Sequence, residues 1–220
     1  PKGRLHETTS QCSFSWLAKS NNKINWNTIV KEIKKEKTFN WGVATSSYQI
    51  EGAHDIDGRG PSVWDVFSHT KGKVKNGDTG DIACDHYNKF SEDIKLMKDL
   101  GVDSYRFSVA WPRIFPVGTE QKINQKGMDF YDRLVDKLLE NDITPFLTLN
   151  HWDMPQGLED LGGWINRETV EHFVKYGHYM SRCLGDRVIN WITHNEPWCI
   201  SFLGYVEGRK PPGLKNEWAK

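Results

Sequence analysis

The first chemically suggestive feature of the sequence is a carboxylate beside an amide. Glu196 follows Asn195 in the motif Thr-His-Asn-Glu-Pro at residues 193–197. A carboxyl group can donate or accept a proton during catalysis, and an adjacent amide can hydrogen-bond a hydroxyl of the same substrate. A single glutamate near a strand end is nevertheless more often a structural ion-pair partner. Glu196 therefore needs support from other strand ends before a catalytic role is favoured.

Such support comes from polar and aromatic residues at the ends of four predicted strands. These residues are Ser46, Ser47 and Gln49 after the first strand, Arg106 within the second, Asn150, His151, Trp152 and Asp153 after the third, and Asn195, Glu196, Pro197 and Trp198 after the fourth. Amide, imidazole and carboxylate groups suit sugar hydroxyls, and an indole can stack on a sugar ring. Taken singly, each residue also fits a structural role. Their repetition at four strand ends favours a carbohydrate site.

Strand-like and helix-like stretches alternate along the chain from residue 39. The predicted strands are residues 39–44, 104–111, 144–150 and 188–195, and the predicted helices are residues 85–100, 126–140 and 167–184. We expect the first strand to be buried, residues 51–81 to form a glycine-rich loop, and Asn166 to cap the third helix. This alternation predicts a parallel sheet covered by helices. It fits either a doubly wound sheet or a (β/α)₈ barrel, and the absence of GxGxxG and GxxxxGK[ST] motifs disfavours a nucleotide-binding doubly wound sheet.

Composition limits the classes of partner. The 220 residues carry 29 basic and 29 acidic side chains, which gives no indication of nucleic-acid binding. No apolar run approaches the ~18 residues of a membrane span. The ten tryptophans fit core packing or a sugar cleft. Four scattered cysteines (Cys12, Cys84, Cys183 and Cys199) show no metal-ligand spacing, and we interpret them as free thiols of a cytoplasmic protein.

Two regions differ in character. Residues 1–37 are polar and end in a basic run, which predicts a loosely ordered N-terminal extension. Residues 38–220 contain all of the alternating strands and helices. We therefore expect a single folded domain there.

Several motifs in a fixed order resemble glycoside hydrolase family 1, the β-glucosidase type. They are FNWGVATSSYQIEGA at residues 39–53, GRGPSVWD at 58–65, YRFS at 105–108, WPRI at 111–114, LNHWDMP at 149–155 and THNEPW at 193–198. The resemblance covers about residues 38–213. It implies an α/β fold, a (β/α)₈ TIM barrel of which this chain supplies about the first four βα units.

The resemblance also assigns a role to each candidate residue. It implies that Glu196 is the acid/base and that Arg106 orients a second, nucleophilic carboxylate. It further implies that Asn195 binds the sugar 2-hydroxyl, while Gln49 and His151 bind the 3- and 4-hydroxyls. Trp152 would form an aromatic wall of the sugar site, and Trp198 would border the leaving-group side. Retaining hydrolysis requires two carboxyl groups about 5–5.5 Å apart. The expected substrate is a small β-glucoside or oligosaccharide. No metal or organic cofactor is implied, because carboxylates carry both steps.

The sequence departs from the family pattern in one important respect. The family's nucleophile lies in a Thr-Glu-Asn-Gly motif, and this chain contains none. Residues 210–213, Lys-Pro-Pro-Gly, also replace an expected Ala-Pro-Gly-like turn. We therefore expect hydrolysis of β-glucosides in the complete protein. The alternative is an inactive fragment or a sugar-binding half-barrel, whose exposed strand edges favour self-association.

Overall fold

A computed structural model describes residues 39–215 of the chain. The predicted extension at residues 1–37 and Cys12 lie outside the described residues. Among residues 39–215, no helix has both the length and the apolar character that crossing a bilayer requires.

Four parallel strands form one sheet in the order β1-β2-β3-β4. The strands are β1 (Gly42–Ala44), β2 (Ser104–Ser108), β3 (Thr144–Asn150) and β4 (Asn190–His194). The three long helices between them are α1 (His86–Leu100), α2 (Gln125–Glu140) and α3 (Glu168–Leu184). The structure therefore confirms the predicted alternation and the parallel sheet of the first four βα units. Because the strands are parallel and consecutive, their carboxyl ends meet at one edge of the sheet.

Local sequence explains where the long helices begin and end. Gly101 takes a φ of 78° and its N–H donates to the carbonyls of Met97 and Lys98, which ends α1. Asn166 Oδ1 accepts a hydrogen bond of 3.0 Å from the N–H of Glu168 at the start of α3. The predicted capping role of Asn166 is confirmed.

Alternation along β2 separates the core from the candidate site. Tyr105 and Phe107 are buried in the helix-covered core, with ring centroids 5.6 Å apart. Arg106, between them in sequence, lies on the opposite face of the sheet. The other side chains that fill the core come mainly from the long helices and β3: Ile94, Leu134, Leu138, Leu147, Tyr176 and Met180. Packing on one face thus directs Arg106 to the other.

Three predicted strands are shorter than expected, including the fourth, which was predicted at residues 188–195 and covers Asn190–His194. The prediction that residues 39–44 form a buried strand is wrong, because β1 covers only Gly42–Ala44 and Phe39 and Trp41 are 59% and 41% exposed. In the described chain β1 is an edge strand paired only with β2, so it has one neighbour to cover it. The second strand ends at Ser108, and Trp111–Ile114 forms a short helix that tolerates Pro112 in its first turn.

The predicted loop at residues 51–81 also contains a helix, Val63–His69. A reciprocal capping box starts it: the N–H of Asp65 donates to Ser62 Oγ at 3.2 Å, and the N–H of Ser62 donates to Asp65 Oδ2 at 2.6 Å. Arg59 adds a salt bridge of 2.8 Å to the same carboxylate. The sequence analysis missed this short helix because glycine-rich turns lie on both sides of it.

A buried ion pair joins the segment after β1 to the segment after β2. Arg113 Nε lies 3.0 Å from Glu51 Oε2, and both side chains are at most 5% exposed. Tyr131 of α2 donates a hydrogen bond of 2.5 Å to the other carboxylate oxygen of Glu51. The guanidinium also donates to the carbonyl of Gly52 and lies over the Tyr87 ring, 4.2 Å from its centroid. The ion pair and its partners therefore connect the segment after β1, the segment after β2 and helix α2.

Replacing Arg113 by methionine should lower the free energy of unfolding by about 3–5 kcal/mol, because Glu51 would remain buried without its counter-charge. Urea unfolding of the full-length protein measures the change. The control is Lys137→Met, which removes an exposed ion pair with Glu140 and should cost less than about 1 kcal/mol. Equal losses in the two variants would contradict the importance assigned to the buried pair.

Candidate functional site

An arginine and an asparagine meet at the carboxyl edge of the sheet. Arg106 Nη2 donates a hydrogen bond of 2.8 Å to Asn195 Oδ1, and Arg106 Nε donates one of 3.0 Å to Thr148 Oγ1. An arginine can only donate, so it fixes the orientation of the amide. The NH₂ group of Asn195 is thereby turned away from Arg106. It is the group that can donate to a hydroxyl of a ligand.

The ends of β3 and β4 are tied together through the same asparagine. The N–H of Asn195 donates to the carbonyl of Asn150 at 3.0 Å. The carbonyl of Asn195 accepts a hydrogen bond of 2.8 Å from the indole N–H of Trp152. Trp152 also has a positive φ of 71°. These contacts fix the indole beside the amide.

Glu196 follows in an unusual backbone conformation. Its φ is 46°, in the left-handed region that non-glycine residues rarely adopt. Its carbonyl accepts hydrogen bonds from the N–H groups of Cys199 and Ile200, at the start of the π-helical segment Cys199–Val206. Glu196 is exposed. Strained backbone at a strand-end carboxylate is typical of functional sites.

His151 lies between the charges of the site. Burial and, to a lesser extent, the positive charge of Arg106 lower its pKa to about 4, while the charge of Glu196 acts in the opposite direction. Its Nδ1 is buried and has no hydrogen-bond partner among the described residues. The imidazole is therefore neutral near pH 7. A neutral imidazole can both donate to and accept from hydroxyl groups.

Gln49, His151 and Trp152 line one pocket of about 300 Å³. Tyr48 and Trp64 form another part of its wall, with their rings stacked at 5.2 Å. Gln49 is exposed on the short helix Ser47–Ile50. The pocket combines hydrogen-bonding groups with aromatic faces, as a sugar site requires. The structure thus brings together three of the sequence-predicted residues in one cavity.

A buried carboxyl group anchors the helix that carries Gln49. Ser47 Oγ donates a short hydrogen bond to Asp153 Oδ2, and the N–H of Ser47 donates to Ser108 Oγ at 2.8 Å. Burial raises the pKa of Asp153 to about 7. Sequence analysis placed Asp153 and Ser47 at strand ends but did not find this contact. No pattern links two residues 106 positions apart.

Trp198 lies apart from this pocket. It is exposed and stacks on Phe202, with ring centroids 5.0 Å apart. Both rings line a separate apolar groove of about 400 Å³ with Trp164 and Tyr205. The structure therefore groups Trp198 with the π-helical segment Cys199–Val206 that follows β4.

Comparison with known proteins gives one family. The model of glycosyl hydrolase family 1 matches residues 32–220. β-Glucosidase A of Acetivibrio thermocellus is 55% identical over 187 residues, which cover 85% of this chain and 42% of that protein. β-Glucosidase A of Thermotoga maritima is 56% identical over 178 residues, which cover 81% of this chain and 40% of that protein.

Solved structures agree with these matches. The family 1 β-glucosidase from Thermotoga maritima superposes with a TM-score of 0.81 at 55% identity, over 82% of this chain and 40% of that one. The same enzyme has been solved in complex with deoxynojirimycin. The chain spans about two fifths of the length of the relatives that it matches.

Replacing Asp153 by asparagine should change how stability depends on pH. The pKa of Asp153 rises from 3.8 to about 7 on folding, so between these values the folded state binds the proton more tightly. Wild-type stability relative to Asp153→Asn should therefore fall as pH rises from 4 to 7, by at most about 1.4 kcal/mol per pH unit. Urea unfolding of both proteins across this range measures the difference.

The matched control is Ser47→Ala, which removes the hydrogen-bond donor and keeps the carboxyl group. Its difference from wild type should vary with pH far less than that of Asp153→Asn. Parallel stability curves for wild type and Asp153→Asn would contradict a raised pKa at this position.

Proposed function

Because the chain belongs to glycosyl hydrolase family 1, we propose that the complete protein hydrolyses β-glucosides with retention of configuration and that Glu196 is its acid/base. The observation that carries this proposal is the arrangement around Glu196, where Arg106 orients the Asn195 amide and Trp152 is bonded to the Asn195 carbonyl. These groups lie at the strand ends where barrel enzymes hold their active sites.

Each residue then has a chemical task. Glu196 protonates the glycosidic oxygen while a second carboxylate, from the remainder of the barrel, attacks the anomeric carbon. Glu196 next removes a proton from the water that releases the sugar. Arg106 is within reach to orient the second carboxylate, and the NH₂ group of Asn195 donates to the 2-hydroxyl. A hydrogen bond there strengthens as positive charge develops on the ring.

The pocket lined by Gln49, His151 and Trp152 supports a glucoside as the substrate. Gln49 and the neutral imidazole of His151 hydrogen-bond the 3- and 4-hydroxyls, and Trp152 provides the wall on which the ring packs. The deoxynojirimycin complex of the Thermotoga maritima relative supports a small sugar-like ligand. Trp198, stacked on Phe202, borders the leaving group.

Further parts of the proposal concern the protein as a whole. Free thiols at Cys84, Cys183 and Cys199 support a cytoplasmic location. The reaction requires no metal or organic cofactor, since carboxylates carry both steps, and the protein acts on neither nucleic acid nor membranes.

Replacing Glu196 by glutamine should lower kcat/KM about 10²–10⁴-fold for glucosides with a poor leaving group, because general acid catalysis is lost. Substrates whose leaving group is already acidic need little protonation and should lose much less. Steady-state kinetics on a series of aryl β-glucosides with the full-length protein measures this trend. Glu171→Gln, an exposed carboxyl change on α3, is the control and should leave the rates unchanged. A loss that is uniform across the series would contradict the acid role.

The alternative function is sugar binding by a half-barrel without hydrolysis. It is favoured by the four-stranded sheet, in which β1 and β4 are each paired on one side only within the described residues. Such edges favour pairing with a second copy or with the remainder of the barrel.

We expect the 220-residue chain alone to show no turnover of an aryl β-glucoside, because the nucleophilic carboxylate is not among its motifs. The full-length protein should be active in the same assay. Activity of the purified 220-residue chain that disappears in its Glu196→Gln variant would overturn this expectation.

A further inference from the structure

A second group of polar side chains converges away from the strand-end site. His54, His69 and Asp81 place one ligand atom each within 4.8 Å of the others. They come from three separate stretches: the turn after Ala53, the last residue of the helix Val63–His69, and the loop before α1. We propose that these three residues bind a divalent metal ion of the zinc class.

The distances suit a metal after small side-chain rotations. His69 Nε2 lies 3.0 Å from Asp81 Oδ2, and His54 Nδ1 lies 4.0 Å from Asp81 Oδ1. Imidazole nitrogen and carboxylate oxygen bind zinc at about 2.0–2.2 Å, which sets ligand atoms roughly 3.4 Å apart in a tetrahedron. All three side chains are partly exposed, so they can make this adjustment.

One buried oxygen gives an independent indication. Asp81 Oδ1 is shielded from solvent and has no hydrogen-bond partner among the described residues. His54 Nδ1, at 4.0 Å from this oxygen, is too distant for a hydrogen bond. A buried acceptor without a hydrogen bond is unfavourable, and a cation between Asp81 and His54 would bind both side chains. Asp55, whose Oδ1 lies 3.6 Å from His54 Nδ1, is the adjacent carboxylate that can complete the shell.

The chemistry of the donors selects the ion. Two imidazoles and one carboxylate are typical ligands of zinc and of neighbouring transition metals, whereas calcium and magnesium prefer oxygen alone. With three protein ligands, a fourth position is left for water or for Asp55.

The position of the cluster indicates what bound metal would do. Asp81 directly follows Gly80, whose N–H donates to Tyr48 Oη at 3.1 Å. Tyr48 in turn stacks on Trp64 in the wall of the pocket that contains Gln49. A metal held by His54, His69 and Asp81 would therefore fix this loop on the rim of that pocket. Its role is structural, and it does not depend on the proposed glucosidase activity.

The test uses the full-length protein stripped of metal by a chelator. Titration calorimetry with ZnCl₂ and the visible absorption of added Co²⁺ should both show one equivalent bound, and the melting temperature should rise with Zn²⁺. Asp81→Asn keeps the side-chain shape and should weaken binding at least about tenfold, since loss of an outer-shell partner alone costs about 10–100-fold. His69→Ala should do the same.

The control is His178→Ala, which removes an exposed histidine of α3 outside the cluster and should leave binding unchanged. The near-isosteric Asp81→Asn variant separates lost binding from lost folding, because its circular dichroism in the absence of metal should match wild type. No Zn²⁺-dependent rise in melting temperature, or one that persists in both Asp81→Asn and His69→Ala, would overturn the proposal. Neither outcome bears on hydrolysis.

Discussion

The position of the pocket that contains Gln49 depends on the buried ion pair between Glu51 and Arg113. Two charges removed from water are tolerated only where every oxygen and most N–H groups find partners. Here Tyr131 and the carbonyl of Gly52 supply them. Because the pair joins the segment after β1 to the segment after β2, it limits how far the helix carrying Gln49 can move. Its value lies in this geometric constraint more than in net stability.

At the carboxyl edge of the sheet, the charged guanidinium of Arg106 is held by neutral hydrogen-bond partners. Arg106 contacts Thr148 and Asn195, so one guanidinium relates three neighbouring strands. Trp152 then bonds the carbonyl of the same asparagine. Asn195 and Trp152, the groups proposed to contact a sugar, are therefore held by Arg106, by the carbonyl of Asn150 and by each other. Such prior organisation lowers the cost of ordering when a ligand binds.

Sequence periodicity predicted the parts of the fold that depend on neighbours in the chain. The bounds of β3 were predicted fully and those of α2 within one residue, because their apolar patterns are long and regular. The burial of β1 was predicted wrongly, since edge position is a property of the whole sheet. The helix Val63–His69 was missed although its capping box is visible in sequence. Contacts such as Ser47 with Asp153 join residues 106 positions apart and leave no local signal.

The polar residues at the strand ends were predictable for a physical reason, whereas the strained backbone there was not. A cluster of polar residues directly after an apolar run indicates where the strand leaves the core. Trp152 and Glu196 both adopt a positive φ there, at 71° and 46°. That conformation costs about 1–2 kcal/mol per residue, and the hydrogen bond from Trp152 to the Asn195 carbonyl lies between the two strained positions. The hydrogen-bond network at the carboxyl edge therefore helps to offset the backbone strain at Trp152 and Glu196.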